Sequence, residues 1–157
     1  MKLAKTAVLL GLVLAAHAAG TAAAAAQATK KEAVALVEKG AAVLRTEGKA
    51  RMIERINAKD PAFYLNDGAL YLHMRDAKTA VMLAHPANPA LIGKDLLDAP
   101  DTNGKYYRRE IVELAATKGK GWVDYTYKNP ASGKIEPKTT YILRVGDVTL
   151  EAGIYKN

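Results

Sequence analysis

The sequence has no cysteine, one serine and three histidines among its 157 residues. The lack of cysteine excludes a disulfide scaffold, a zinc finger, a c-type haem attachment and a thiol nucleophile. Three histidines leave little material for a metal site. The serine, Ser132, falls in a predicted hairpin tip, and no Gly-x-Ser-x-Gly, His-Glu-x-x-His or glycine-rich phosphate motif occurs. We therefore expect no enzyme, no cofactor and no metal; a carboxylate-based hydrolase is the remaining catalytic alternative.

The N-terminus has the three parts of a secretory signal peptide. Lys2 and Lys5 form a basic region, an uncharged and mostly apolar run covers residues 6–16, and an alanine-rich stretch follows. The apolar run is too short and too diluted by alanine to favour a membrane anchor, which needs about 20 strongly apolar residues. We expect residues 1–28 to be a signal peptide, residues 29–157 to be one exported domain in the periplasm, and no membrane span after cleavage.

The charge is modestly positive. The chain has 23 basic and 16 acidic residues, and loss of the two lysines of the signal peptide leaves a net charge of about +5. Nucleic-acid binding proteins carry a denser basic stripe with interleaved aromatic residues, whereas here the basic residues are scattered. The charge excludes a nucleic-acid partner and suits a small anionic ligand or simple solubility.

Two different hydrophobic periods divide the exported domain. Apolar residues at three- and four-residue spacing predict one long amphipathic helix over residues 30–57, which ends before Pro61. After residue 67 the period changes to two, as in Leu70 to Arg75, which predicts strands. The pattern indicates an α+β fold with a five-stranded antiparallel sheet and short helices between its second and third strands. Strands are predicted at 70–75, 80–84, 122–127, 138–145 and 148–155, a helical turn at 91–97 and a helix at 105–116.

Several ordered segments resemble one known family. The run LAHPANPALIGKDLLD at 83–98 is similar to a segment of single Cache domains, which are PAS-like extracytoplasmic sensor modules. Further similar pieces follow in the same order at 121–125, 129–138, Tyr141 and 152–155, so the resemblance covers about 67–156. The long N-terminal helix is also expected in this family. The chain departs from the family at Thr79, where a turn glycine is common, at Tyr127, where tryptophan is frequent, and at His73, where an aromatic residue is usual.

The resemblance implies a domain that senses small organic acids. A carboxylate ligand needs charge-assisted donors in a partly desolvated pocket. Lys138, at the entrance of a central strand, is the leading cation under this resemblance; the alternative is a solvated lysine at a strand end. Helix phasing places Arg108 at the border of the apolar face and turns Arg109 away from it. Arg108 either reaches inward to a carboxylate or covers the edge of the core with its stem.

Aromatic and histidine side chains complete the predicted site. Trp122, Tyr125 and Tyr141 are grouped with Lys138 as pocket walls on the strength of the resemblance, although aromatic residues on strands are usually core. Strand alternation argues against this grouping, because Trp122 and Tyr125 differ in parity, as do Lys138 and Tyr141. A bulge that shifts the register is the alternative. Secondary contacts are predicted from Tyr71, His73 and His85.

The sequence as a whole predicts a free-standing periplasmic Cache domain. We expect it to bind a small organic acid reversibly and to pass its occupancy to a membrane receptor or sensor kinase. The alternative is a structural or protein-interaction module that kept the fold without a ligand. Whether the domain forms a homodimer through its long helix stays open.

Overall fold

The computed structural model describes residues 27–156. The predicted signal peptide lies almost entirely outside these residues. A capping box begins the first helix, α1 (Lys30–Glu47): the Glu32 amide donates to the Thr29 hydroxyl (3.2 Å), and the Thr29 amide donates to the Glu32 carboxylate (2.7 Å). These two bonds satisfy backbone groups that a helix start leaves unpaired.

The single long helix predicted for residues 30–57 is two helices. Gly48 separates α1 from α2 (Lys49–Asn57) and has a φ of 84°, in the left-handed region that glycine adopts without steric cost. The prediction was wrong at this point because Gly48 fits the apolar spacing, and spacing alone does not report a change of backbone conformation. The predicted end of the helical segment, before Pro61, is confirmed.

The sheet has six antiparallel strands instead of the predicted five. The extra strand, β1 (Tyr64–Leu65), is only two residues long, which is too short to produce a period in the sequence. The remaining strands are β2 (Leu70–Asp76), β3 (Met82–Ala84), β4 (Lys120–Lys128), β5 (Ile135–Val145) and β6 (Val148–Tyr155). The sheet order is β1-β2-β6-β5-β4, and β3 pairs with β2 on the same side as β1. A 3-10 turn at Pro89–Leu91 and helix α3 (Tyr107–Thr117) lie between β3 and β4.

The two faces of the sheet have different chemistry. One face packs against α1 through apolar side chains such as Leu72 and Leu150. Gly40 of α1 lies so close to this face that an added Cβ would meet the Leu72 and Met52 side chains. Successive side chains of a strand alternate between faces, so Tyr71, His73 and Arg75 lie on the opposite face, where α3 packs at one side. Within residues 27–156 no helix is both long and apolar enough to cross a membrane.

Candidate ligand-binding site

A buried carboxylate organises the polar face of the sheet. Glu151 on β6 is fully buried and accepts three hydrogen bonds, from His73 Nε2 (2.9 Å), Arg75 Nε (3.1 Å) and the Thr149 hydroxyl (2.7 Å). The register explains the cluster, because His73 is paired with Glu151 and Arg75 with Thr149 across the β2–β6 ladder. Burial alone would raise the pKa of Glu151, but Arg75 and His73 lower it to about 2. Glu151 is therefore a permanent anion whose partner is Arg75.

His73 is neutral in this cluster. Burial lowers its pKa to about 4, and this effect exceeds the opposing one of Glu151. Because Nε2 donates to Glu151, the neutral ring has an acceptor at Nδ1. This atom is buried and has no hydrogen-bond partner among the described residues.

Lys138 on β5 is a buried cation surrounded by tyrosines. Its side chain is only 2% exposed, and Nζ donates to the Tyr71 hydroxyl (3.1 Å). Nζ also lies 4.9 Å from the ring centroids of Tyr71 and Tyr155 and 5.3 Å from that of Tyr127. Burial raises the pKa of Tyr71 to about 12, so its hydroxyl stays protonated at neutral pH. Within residues 27–156 no carboxylate forms an ion pair with Lys138.

A glycine makes room for this lysine. Gly153 lies beside Lys138 and Thr140 on the same face, and a Cβ added there would overlap Lys138 Cε and the Thr140 hydroxyl. The Lys138 side chain therefore extends across β6 only because position 153 has no side chain.

His85 presents a fixed donor next to this lysine. Its Nδ1 accepts hydrogen bonds from the backbone amides of Ala87 (3.2 Å) and Asn88 (2.9 Å), which leaves the proton of the neutral ring on Nε2. Burial lowers the pKa of His85 to about 2, so the ring is uncharged at neutral pH. The ring packs 5.2 Å from both Tyr71 and His73. Nε2 has no partner among the described residues.

A small cavity opens at Tyr71 and His85. It has a volume of about 270 Å³, and the Asn88 amide and the Tyr127 hydroxyl meet across it at 3.5 Å. Its lining residues are Tyr71, His85, Ala87, Asn88, Tyr127, Lys128 and Pro130. Lys138 lies directly behind Tyr71. A larger cavity of about 420 Å³ lies near Gln27 and Tyr155, and none of its lining residues is a buried cation.

The eight predicted site residues do not share one pocket. Lys138, Tyr71, His73 and His85 form one cluster on the polar face. Trp122 and Tyr141 pair with each other on the opposite face, with ring centroids 5.3 Å apart, and belong to the core against α1. The grouping of these two with Lys138 is wrong because β4 and β5 keep a regular register and have no bulge that would change their parity. Trp122 is also only half-buried.

Tyr125 and Arg108 also lie on the polar face. Tyr125 is directly opposite Lys138 in the β4–β5 ladder. Tyr125 stacks on Tyr107 (centroids 4.0 Å apart), and its hydroxyl is 2.9 Å from that of Thr140. Arg108 is 6% exposed and donates from Nη1 to the carbonyl of Ala99 (3.0 Å). Arg109 points outward and pairs with Asp98 (2.7 Å), as helix phasing predicts.

The predicted site residues do not include Arg75, Glu151, Tyr127 or Tyr155, although all four lie on the polar face. Arg75 shares the parity of Tyr71 and His73, so the alternation of β2 contained a usable signal. Glu151 is a charged residue in a mostly apolar strand, and this contrast could have indicated a site residue. Tyr71 reaches Lys138 because β6 pairs with both β2 and β5 and so brings these two strands close together. This arrangement of strands is not visible in the local sequence.

The buried histidines make stability depend on pH. Because the folded pKa values of His73 and His85 are below the ordinary value of about 6.5, the unfolded chain binds more protons below that pH. The free energy of unfolding should therefore fall as pH decreases from 6.5, by up to about 1.4 kcal/mol per pH unit for each histidine. Urea unfolding between pH 8 and 5 measures this slope. The described carboxylates with lowered pKa values act only below about pH 4.5, so a flat profile between pH 6.5 and 5 would contradict the neutral assignment.

A comparison with family models identifies the domain. The model of the family Single Cache domain 2 matches residues 21–155. The chain belongs to this family. Cache domains are extracytoplasmic sensor domains, so the PAS-like α+β fold and the sensory character predicted from the sequence are confirmed.

Relatives and solved structures agree with this assignment. The chain is 38% identical over 61 residues to the methyl-accepting chemotaxis protein McpP of Pseudomonas putida, a match that covers 39% of this chain and 11% of McpP. It is 28% identical to the periplasmic sensor domain of a chemotaxis protein, with a TM-score of 0.64 and coverage of 81% and 90% of the two chains. The first relative is thus a chemotaxis protein, and the second is the sensor domain of one.

A further solved structure shares the fold. It is a Cache chemosensory domain studied for its recognition of carboxylic acid, with a TM-score of 0.68, 23% identity and coverage of 81% of this chain and 92% of that one.

Proposed function

We propose that this Cache domain is a periplasmic sensor that reversibly binds a small organic acid, with the ligand carboxylate at Lys138. The observation that carries this proposal is the buried ammonium group of Lys138, which has three tyrosine rings around it and no carboxylate partner among the described residues. A buried charge is costly unless it is paired. A ligand carboxylate that supplies the missing negative charge would gain from this arrangement.

The neighbouring donors suit the same ligand. Tyr71 is protonated at neutral pH, and His85 carries its proton on Nε2, so both offer neutral hydrogen-bond donors beside the lysine. Glu151 does not repel the ligand strongly, because Arg75 and Thr149 occupy its oxygens. The cavity of about 270 Å³ fits a short carbon chain only. The similarity to a Cache domain that recognises carboxylic acid supports this chemistry.

The proposal extends to signalling. A domain of this family that binds an acid needs a protein that reads its occupancy, and we assign that role to a membrane receptor or a sensor kinase. The similarity of a segment of this chain to McpP supports a receptor of the chemotaxis type.

Thermal unfolding with a panel of small molecules tests the ligand class. We expect short carboxylates to stabilise the protein, by about 2.7 kcal/mol at a concentration 100 times the dissociation constant. Amines of the same length should have no effect, because they place a positive charge against Lys138. If no carboxylate raises the unfolding temperature, or amines raise it equally, the proposal is wrong.

A further inference from the structure

The polar face holds more buried positive charge than its own carboxylate balances. Among the described residues three basic side chains are buried there, namely Lys138 (2% exposed), Arg75 (5%) and Arg108 (6%). Within residues 27–156 the only buried carboxylate is Glu151, which is bonded to Arg75. Lys138 and Arg108 therefore both lie inside the protein without a carboxylate partner, on one side of the same sheet.

Arg108 borders a second cavity. This cavity has a volume of about 250 Å³ and lies against Tyr107, Arg108 and Thr126. The guanidinium is only partly used, because Nη1 donates to the Ala99 carbonyl and Nε is buried without a hydrogen-bond partner among the described residues. Burial lowers the pKa of Arg108, which indicates that its charge is poorly solvated.

The two cavities adjoin each other. Tyr127 and Lys128 line both of them, and the Tyr127 ring also lies against the Lys138 ammonium. Tyr127 is half-buried and its hydroxyl has only a long bond of 3.5 Å from Asn88. The ring therefore lies between a Lys138 side and an Arg108 side, and its edge packs against Tyr125 (ring centroids 6.2 Å apart).

One acidic residue also faces the second cavity. The carboxylate of Asp101 accepts hydrogen bonds from the backbone amides of Asn103 (2.9 Å), Lys105 (2.9 Å) and Thr126 (2.8 Å). Both of its oxygens are thus engaged by backbone donors. Asp101 shapes the cavity wall and forms no ion pair with Arg108.

We infer that the site takes a ligand with two carboxylates, one at Lys138 and the other at Arg108. This inference rests on the proposed function and narrows its ligand to short dicarboxylic acids. Two separated anionic groups balance both unpaired cations, whereas a monocarboxylic acid balances one and leaves Arg108 buried without a counter-charge. A guanidinium with a free Nε edge is also suited to bind a carboxylate through two parallel hydrogen bonds.

Calorimetric titration with acids of equal chain length tests this inference. The pairs are propionate with malonate, butyrate with succinate, and valerate with glutarate, all at pH 7.5 and constant ionic strength. We expect at least one dicarboxylate to bind about 10- to 100-fold more tightly than its monocarboxylate partner, which is the effect of one added charge-assisted contact. Arg108→Met should abolish this difference, and circular dichroism shows separately that the variant is folded.

Matched variants distinguish a specific contact of Arg108 from a general effect of positive charge on affinity. Arg109→Met on the exposed side of α3 and Lys118→Met at the exposed C-terminal end of α3 should each keep the preference for the dicarboxylate. A preference that survives in Arg108→Met, or that is lost equally in either control, would overturn the inference. Equal affinity of the unmodified protein for both acids of every pair would overturn it too, while the proposed function would stand. Failure of all six acids to bind would instead refute the proposed function.

Discussion

Replacing Lys138 with methionine is expected to weaken binding of the best carboxylate ligand by about 10-fold to more than 100-fold. The substitution removes a charge-assisted hydrogen bond worth about 1.5 to 3 kcal/mol in a site shielded from water. Methionine has a similar length and leaves the packing between Tyr71, Tyr127 and Tyr155 largely filled. Calorimetric titration of the parent and the variant measures the change in affinity.

The same variant should be as stable as the parent without ligand, or more stable. Lys138 is buried and has no carboxylate partner in the part of the chain that the structure describes, so its removal relieves a desolvation cost and breaks no ion pair there. Lys120→Met, at an exposed position on β4, is the matched control and should change neither quantity. A loss of stability in Lys138→Met together with unchanged affinity would show that this lysine supports the fold and does not bind the ligand.

Replacing Glu151 with glutamine is expected to lower the free energy of unfolding by about 3 to 5 kcal/mol. Glutamine has nearly the shape of glutamate but no charge, so Arg75 would remain charged and buried without its partner. Burial disfavours the charged form of Arg75, and in the variant the carboxylate that offsets this effect is gone. A guanidinium does not lose its proton at neutral pH, so Arg75 does not escape the cost by becoming neutral. Urea unfolding at pH 7.5 gives the difference directly.

Two further variants make the test of Glu151 specific. Glu113→Gln on the exposed side of α3 removes the same charge from the surface and should change stability by less than about 0.5 kcal/mol. The double variant Arg75→Met with Glu151→Met should regain most of the lost stability, because apolar side chains of similar volume often replace a buried ion pair without loss. If the double variant is no more stable than Glu151→Gln, the loss does not come from an uncompensated charge.

The sequence predicted local properties well, and it predicted contacts between residues far apart in the chain poorly. The parity of Tyr71 and His73 along β2 and the phase of Arg108 and Arg109 along α3 are local properties, and the structure confirms the faces they indicate. The parity of Trp122 and Tyr141 was equally informative, but the resemblance to the family outweighed it, and the grouping was wrong. Local periodicity would have given the right faces.

The rest of the site could not be predicted because it depends on pairing between strands that are far apart in the sequence. Glu151 and His73 are far apart in the sequence and meet only because β6 inserts between β2 and β5. No local pattern reports which strands become neighbours, so neither the partner of Arg75 nor the contact of Tyr155 with Lys138 was predicted, although Tyr71 was. The end of α1 at Gly48 was not predicted for a different reason. Glycine is tolerated inside helices as well as between them, so its presence alone did not indicate a break.

The contact of Gly153 with Lys138 constrains how this domain can evolve. A side chain at position 153 and a long side chain at position 138 compete for the same volume on the polar face. A mutation of Gly153 is therefore harmful as long as the lysine is present, and becomes tolerable only once shorter residues stand at both position 138 and position 140. The order of substitutions matters, so a lineage that loses its acid ligand should lose the lysine first, and the glycine only afterwards.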